Sequence, residues 1–267
     1  METTKTKQHY LTAIQGMTKD QLCREISAPN VLRISDSQHG ASNVEIAYAP
    51  FDFINVDARI AIVGITPGRQ QMGNALQEYH RVAARTGDCT SALEAAKAFA
   101  SFSGPMRKNL IAMLDAIGVS ALLGLASAET LWSEDQHLAH FTSALRYPVF
   151  VGGKNYSGSP SMLSVPLLRQ QLEATLVEEM RKLPHAIFVP LGPKVTEALK
   201  HAAPLAGVPV SQILSGLPHP SGANAERISY FLKRKPRHEL SSKTNPEKLD
   251  KSRSDLDAQI EALRCKA

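Results

Sequence analysis

Apolar residues in this chain gather in short runs that are separated by segments of helical periodicity. Residues 59–65 form an almost uninterrupted apolar run that closes at the turn sequence 66–68, as expected of a buried parallel strand that ends in a loop. Shorter segments at 140–145, 186–191 and 210–214 predict three further strands. The chain therefore carries four candidate strands for one sheet.

Between and after these strands the pattern becomes helical. Pro105 opens one predicted helix, and Ser164 caps a longer one in which leucines and a methionine recur every fourth residue over 168–180. Shorter helices are predicted at 192–200 and 223–233. Strands that alternate with helices favour an α/β fold, here a three-layer α/β/α arrangement with a central, mainly parallel four-stranded sheet.

Three predicted loops follow strands, at 66–71, 143–158 and 217–224. In open parallel sheets, ligands bind beyond the carboxyl ends of the strands. We therefore expect the functional residues in these loops. The middle loop is rich in glycine, with Gly152 and Gly153 in succession.

The segments on either side of this pattern differ from it in character. We expect residues 1–43 to form an N-terminal helical extension, residues 44–235 the α/β domain, and residues 236–267 a basic and charged C-terminal tail. Apolar residues at helical spacing predict a short amphipathic helix within 249–263. A DNA-gripping arm, a dimerising helix and a flexible end are all compatible with this tail.

Composition and charge add two constraints. The chain has 267 residues, 43% of them hydrophobic, which suffices for one substantial core with an appendage. The net charge is +5, and much of the excess lies late in the chain, which favours a polyanionic partner. A solvated tail that needs no partner explains the charge equally well.

Targeting, membrane and metal signals are not found in the sequence. No apolar stretch has the length of a membrane span, and the first residues do not resemble a signal peptide, so we expect a cytoplasmic protein without a membrane partner. Cys23, Cys89 and Cys265 lack the spacing of a zinc site, an iron–sulfur cluster or a disulfide framework. We expect no metal and no other cofactor.

Two of the loops resemble motifs of the uracil-DNA glycosylase superfamily. The sequence Gly-Ile-Thr-Pro-Gly at 64–68 resembles the motif that positions the attacking water, in a form closest to the mismatch, or thymine-DNA glycosylase-like, branch. The sequence His-Pro-Ser-Gly-Ala-Asn at 219–224 resembles the turn that follows the last strand in that family. The order and separation of the motifs fit, and the resemblance spans about residues 45–233.

This resemblance implies a monofunctional DNA glycosylase. Such an enzyme extrudes a damaged or modified base from DNA and hydrolyses its N-glycosidic bond, which leaves an abasic site. DNA is then the partner, no obligatory protein partner is implied, and the setting is DNA repair or defence against foreign DNA.

The resemblance assigns the catalytic positions to Thr66 and His219. Thr66 stands where relatives carry Asp or Asn to hold the attacking water; its hydroxyl can accept a hydrogen bond from water but is no general base at neutral pH. His219 would donate to the leaving base, on which negative charge develops. The alternatives are a turn-capping threonine and a surface or core histidine.

The implied base-binding residues are Ile65, Phe102 and Ser143. Phe102 would stack on the base, with Phe99 as its competitor and a core position as the alternative for either ring. Ser143 lies near the position where several relatives place an asparagine that recognises uracil, and serine is shorter. Together with the glycine-rich loop, this favours a roomier pocket and a modified pyrimidine as the substrate, not plain uracil.

The implied contacts to the DNA backbone involve Gly68, Arg69, Ser221, Gly222 and Asn224. Ser221 and the amides after it precede a predicted helix, where exposed N–H groups and the helix dipole favour a phosphate. A simple N-cap role for Ser221 and a solvated helix position for Asn224 are the alternatives.

Two other functions remain open. A catalytically silent nucleic-acid-binding protein would keep the fold without the side chain that holds the water in relatives. An unrelated α/β hydrolase or nucleotide-binding protein is disfavoured, because no G-x-S-x-G elbow, Walker lysine motif or G-x-G-x-x-G fingerprint follows a predicted strand.

Overall fold

The structure is a computed structural model that describes residues 6–101 and 105–265. These residues form a mixed α/β protein that divides into two compact units, each built from three separate segments of the chain. Of the described residues, unit 1 contains 6–54, 65–101 and 141–178, and unit 2 contains 55–64, 105–140 and 179–265.

Helices make up most of the regular structure. The α-helices are α1 (Lys7–Gly16), α2 (Lys19–Ser27), α3 (Arg69–Thr86), α4 (Cys89–Ala100), α5 (Pro105–Ala116), α6 (Val119–Leu123), α7 (Pro166–Lys182), α8 (Pro193–Ala206), α9 (Ala225–Phe231) and α10 (Pro246–Arg264). The strands are β1 (Arg33–His39), β2 (Ser42–Ala47), β3 (Ile60–Gly64), β4 (Ala139–Ser143), β5 (Val149–Val151), β6 (Lys154–Asn155) and β7 (Ile187–Pro190). Across the described ranges, no helix has the combined length and apolarity that crossing a bilayer requires.

Unit 1 contains an antiparallel sheet that the sequence pattern did not predict. Its strand order is β1-β2-β5-β6. Gly152 and Gly153 have φ values of 55° and 74° and form the two-residue turn between β5 and β6, because glycine adopts positive φ without steric cost. Part of the loop predicted at 143–158 is therefore a hairpin of this sheet.

The helices of unit 1 build its hydrophobic core. Leu11 and Ile14 of α1 are buried in that core. α2 begins with a capping box, in which the Thr18 side chain accepts from the Gln21 N–H and the Gln21 side chain accepts from the Thr18 N–H. The segment predicted as a helical extension, 1–43, thus contributes helices to a core, and it also contains β1.

The parallel strands form a second, three-stranded sheet with the order β4-β3-β7. Within unit 2, Ile60 of β3 lies opposite Ile187 of β7. The strands predicted at 59–65, 140–145 and 186–191 are confirmed as β3, β4 and β7.

The predicted single four-stranded parallel sheet is wrong. A 3₁₀ turn at Val210–Gln212 replaces the strand expected at 210–214, and one isolated parallel bridge joins Ile213 to Phe188 of β7. The parallel sheet therefore has three strands and a single bridge where a fourth strand was expected, and the other sheet is antiparallel.

The local sequence explains why the fourth strand does not form. Pro209 has no N–H to donate to a ladder. Gln212 donates its side-chain amide to the carbonyl oxygens of Pro184 and Ala186, both at 2.9 Å. A side chain thus satisfies backbone acceptors that a neighbouring strand would otherwise serve.

The predicted helices are present with shifted ends. Pro105 opens α5 as expected, and the long helix expected after Ser164 begins at Pro166. α8 extends to Ala206, six residues beyond its predicted end, and α9 is shorter than the helix predicted at 223–233.

The C-terminal segment packs as a helix within unit 2. α10 buries Leu256 and Ile260. Gly216 has a φ of 130°, and a Cβ on it would lie 3.2 Å from the Cβ of Ser252, so the loop approaches α10 too closely for a larger residue. Over 246–264 the predicted tail is therefore a docked helix and not a flexible end.

A buried polar pair lies inside unit 2. His140 Nε2 is 2.9 Å from Glu179 Oε2, and the two side chains are only 1% and 2% exposed. The backbone N–H of Asn55 donates to His140 Nδ1 at 3.4 Å. With Nδ1 as an acceptor, the neutral ring carries its proton on Nε2 and donates it to the Glu179 carboxylate.

Candidate active site

The His-Pro-Ser loop of unit 2 is held from two sides. Asn109 of α5 donates its side-chain amide to the carbonyl oxygen of Pro220 at 2.9 Å. Gly192, with a φ of 101°, lies beside the imidazole, since a Cβ on it would be 3.9 Å from the Cβ and Cδ2 of His219. Both contacts limit the movement of the half-buried His219 side chain.

The tautomer of His219 follows from a backbone contact. Ser221 donates its N–H to His219 Nδ1 at 3.2 Å. A neutral imidazole that accepts at Nδ1 carries its proton on Nε2. His219 therefore presents an N–H donor at Nε2.

Burial keeps this ring neutral. Desolvation lowers the pKa of His219 from its ordinary value of 6.5, because the charged form loses hydration. The ring is accordingly uncharged at neutral pH, the state in which Nδ1 can accept from Ser221.

A chain of hydrogen bonds continues from this loop. Asn224 donates its side-chain amide to Ser221 Oγ at 3.2 Å, and Arg227 donates from Nη1 to Asn224 Oδ1 at 2.7 Å. Gly222 is exposed, with no neighbouring atom within 4 Å of where a Cβ would lie. The structure thus brings four of the predicted residues together: His219, Ser221, Gly222 and Asn224.

Thr66 lies in unit 1, just after β3 ends. Its hydroxyl donates to the carbonyl oxygen of Tyr147 at 2.9 Å. Because the single hydroxyl proton is used in this bond, the lone pairs of the oxygen are what remains for a further partner. Thr66 can therefore accept a hydrogen bond from a water, which agrees with positioning and not with proton abstraction.

A carboxylate that the sequence did not single out is linked to Thr66 through Tyr147. Asp52 accepts from Tyr48 Oη at 2.7 Å and from Tyr147 Oη at 2.6 Å. Burial raises the pKa of both tyrosines well above their usual range, so both remain protonated donors. The backbone of Tyr147 thus holds Thr66, and its side chain holds Asp52.

Arg69 makes contacts within unit 1. Its guanidinium donates to the carbonyl oxygens of Ile26, Ser27 and Gly153 and lies 4.1 Å from the ring centroid of Phe150. These bonds tie α3 to α2 and to the β5–β6 hairpin. The phosphate contact of Arg69 stays a prediction. A phosphate would have to compete with these carbonyl oxygens for the guanidinium.

Gly68 is approached closely by a side chain of the hairpin. A Cβ on Gly68 would lie 3.2 Å from Asn155 Nδ2, and the N–H of Arg69 donates to Asn155 Oδ1 at 3.0 Å. The absence of a side chain at Gly68 therefore lets the hairpin pack on the start of α3.

The predicted base-binding residues differ in how far they are exposed. Ile65 and Ser143 are half-buried in unit 1, Ser143 as the last residue of β4. Phe102 lies outside the described residues. Its competitor Phe99, on α4, is 59% exposed, so a fully buried core position does not apply to Phe99.

Metal ligation finds no support in the part of the chain that the structure describes. No three His, Cys, Asp or Glu side chains there are grouped so that they could hold a metal ion.

Comparison with known proteins shows the family of the chain. No protein-family model matches the chain, and no solved structure matches it. The chain is 36% identical over 200 residues to Uncharacterized protein YoxB of Bacillus subtilis (strain 168), an alignment that covers 74% of this chain and 78% of YoxB. The chain belongs to the YoxB family. The name of YoxB states no activity, so the functional proposal for this YoxB-family chain rests on its own residues.

Each unit of this YoxB-family chain carries part of the candidate set. Unit 1 contains Thr66 and, joined to it through Tyr147, the unpredicted Asp52. Unit 2 contains His219 and the polar residues after it. Asp52 was missed because it stands before the first predicted strand, outside both glycosylase-like motifs, and its two partners are brought to it by folding.

Proposed function

We propose that this protein is a cytoplasmic DNA glycosylase that extrudes a modified pyrimidine and hydrolyses its N-glycosidic bond. The observation that carries this proposal is the state of His219, which is held neutral with Nε2–H as its donor. The resemblance of 64–68 and 219–224 to uracil-DNA glycosylase motifs supports it.

The chemistry requires a donor at the leaving base. When the bond between C1′ and the base nitrogen breaks, its electron pair goes to the base, and positive charge develops on the sugar. A neutral imidazole N–H aimed at a base oxygen stabilises the growing negative charge without having to give up its proton. Water then adds to C1′ and loses a proton to solvent, while the base is released.

Thr66 limits the kind of base that such an enzyme would release. A threonine hydroxyl that donates to Tyr147 can orient water but cannot deprotonate it. Bond breaking must then depend on how well the base leaves. A pyrimidine whose substituent stabilises negative charge on the ring should therefore be a better substrate than an unmodified one, and the short side chain of Ser143 leaves more room for such a substituent than an asparagine would.

The decisive experiment is a panel of labelled oligonucleotides. Each carries one modified or mismatched base in single- or double-stranded DNA, is incubated with the purified protein, and is then heated in alkali to cleave abasic sites. We expect strand cleavage at one or a few modified pyrimidines. Intact strands across the whole panel would reject the glycosylase and favour a catalytically silent DNA-binding protein. Such a protein is also compatible with a Thr66 hydroxyl that donates to Tyr147.

The rate of base release should depend on pH through His219. Neutral His219 accepts from Ser221, and its pKa lies below 6.5. We therefore expect a constant rate near and above neutral pH and a falling rate as the pH drops through the lowered pKa of His219, because protonation of Nδ1 displaces the Ser221 N–H. Single-turnover rates across this range measure the effect.

The matched control is His219→Gln, which keeps an amide donor but does not titrate. Its rate should lack the acidic inflection. An inflection of the same shape in both proteins would assign the titration to another group.

A further inference from the structure

The basic residues near the C-terminus divide into neutralised and available charges. Five of them form ion pairs with carboxylates: Lys235 with Glu226, Arg237 with Glu247, Lys251 with Asp255, Arg253 with Asp257, and Arg264 with Glu261. Within the described ranges, Lys233, Arg234, Lys243 and Lys248 are exposed and have no ion pair. The basic tail therefore offers far fewer free cations than its sequence suggests.

Lys243 is the free cation whose backbone is joined to the His219 loop. Arg227 donates from Nη2 to the carbonyl oxygen of Lys243 at 3.2 Å and from Nη1 to Asn224 at 2.7 Å. Asn224 in turn donates to Ser221, whose N–H donates to His219. An unbroken series of hydrogen bonds thus connects His219 to the backbone of Lys243.

Glu226 of α9 fixes the segment that carries Lys243. Its carboxylate accepts from the Lys235 ammonium at 2.8 Å, from the Ser241 N–H at 3.1 Å, and from the Ser241 and Thr244 hydroxyls at 2.6 and 2.5 Å. Thr244 is buried. These bonds hold the pKa of Glu226 well below its usual range, so the carboxylate stays charged. We call Glu226 with Lys235, Ser241 and Thr244 the Glu226 latch.

From this arrangement we infer that the Glu226 latch presents Lys243 to the DNA backbone, as a phosphate contact beside the base-releasing loop. The inference rests on the proposed function for its ligand, DNA. Lys243 itself is exposed, whereas its neighbours Arg227 and Thr244 are engaged in internal bonds. Arg227 is a positioning residue in this scheme.

The test is the affinity of the full-length protein for unmodified duplex and single-stranded DNA, measured by fluorescence anisotropy over a series of salt concentrations. Lys243→Ala should raise Kd about fivefold near physiological salt and lower the slope of log K against log salt by about one, the loss of one phosphate contact. Lys243→Arg should restore the wild-type slope. Glu226→Gln should shift affinity in the same direction, since a neutral amide holds the segment less firmly.

Lys251→Ala is the matched control, because Lys251 is another lysine of the C-terminal region, on α10, but is paired with Asp255. It should leave both Kd and the slope nearly unchanged. Equal effects of Lys243→Ala and Lys251→Ala would overturn the inference, as would a wild-type protein that does not bind DNA at low salt. If the wild-type protein releases bases and Lys243→Ala binds DNA as the wild type does, the inference is rejected and the proposed function stands. If DNA binding depends on Lys243 but the wild-type protein releases no base, only the proposed glycosylase is rejected.

Discussion

Substitution of His219 by Ala is expected to lower the rate of base release by about 10²- to 10³-fold, the usual effect of removing one donor to a developing anion. The loop itself should persist, because the Asn109 amide still holds the Pro220 carbonyl oxygen at 2.9 Å. The loss should therefore appear in the single-turnover rate on the best substrate of the panel and only weakly in the affinity for DNA.

His185→Ala is the control for this substitution. His185 is an exposed histidine of the same unit, and its removal should leave the rate within about twofold, since surface substitutions have small effects. His219→Gln should fall between the wild type and His219→Ala, because it retains an N–H donor. A His219→Ala protein with the wild-type rate would remove His219 from the mechanism and with it the main support for the proposed function.

Substitution of Glu179 by Ala is expected to lower the free energy of unfolding by about 1–3 kcal/mol, the usual cost when a buried neutral donor loses its acceptor. His140 and Glu179 lie 2.9 Å apart with almost no exposed side-chain surface. Loss of the carboxylate leaves the His140 Nε2–H without this acceptor in a place that water reaches poorly. Urea denaturation of both proteins measures the change.

Glu173→Ala provides a control on the same helix, α7. Glu173 lies 3.9 Å from Arg169, and both side chains are over 40% exposed, so the cost should be about 1 kcal/mol or less. Glu179→Gln keeps an acceptor for His140 and should lose less stability than Glu179→Ala. Equal losses for Glu179→Ala and Glu173→Ala would show that the buried pair adds nothing to stability.

The strands and helices that the sequence predicted correctly are those with an unambiguous local pattern. β3 has an uninterrupted apolar run, and α5 begins at the proline that opens it. Periodicity and start signals of this kind depend on neighbouring residues alone. The strand predicted at 210–214 did not form, because the local pattern could not show that the Gln212 side chain would donate to the carbonyl oxygens of Pro184 and Ala186.

The candidate site likewise has features that the local sequence shows and features that depend on distant residues. The motifs at 64–68 and 219–224 were visible in the sequence, and so were the chemical limits of a threonine and the possibilities of a histidine. The tautomer of His219 was not visible, because it depends on the direction of the Ser221 N–H. The internal bonds of Arg69 were equally hidden, since their acceptors come from α2 and from the β5–β6 hairpin.

The sequence by itself indicated three of the parallel strands, the loops that carry candidate chemistry, and the limit that a threonine such as Thr66 can accept a hydrogen bond from water but cannot act as a base. Only the tertiary structure decided that unit 1 has an antiparallel sheet, that Asp52 is joined to Tyr147 across 95 residues, and which C-terminal cations stay free. The physical reason is range: strand and helix patterns arise from sterics between adjacent residues, whereas hydrogen-bond partners and ion pairs depend on which distant segments folding brings into contact.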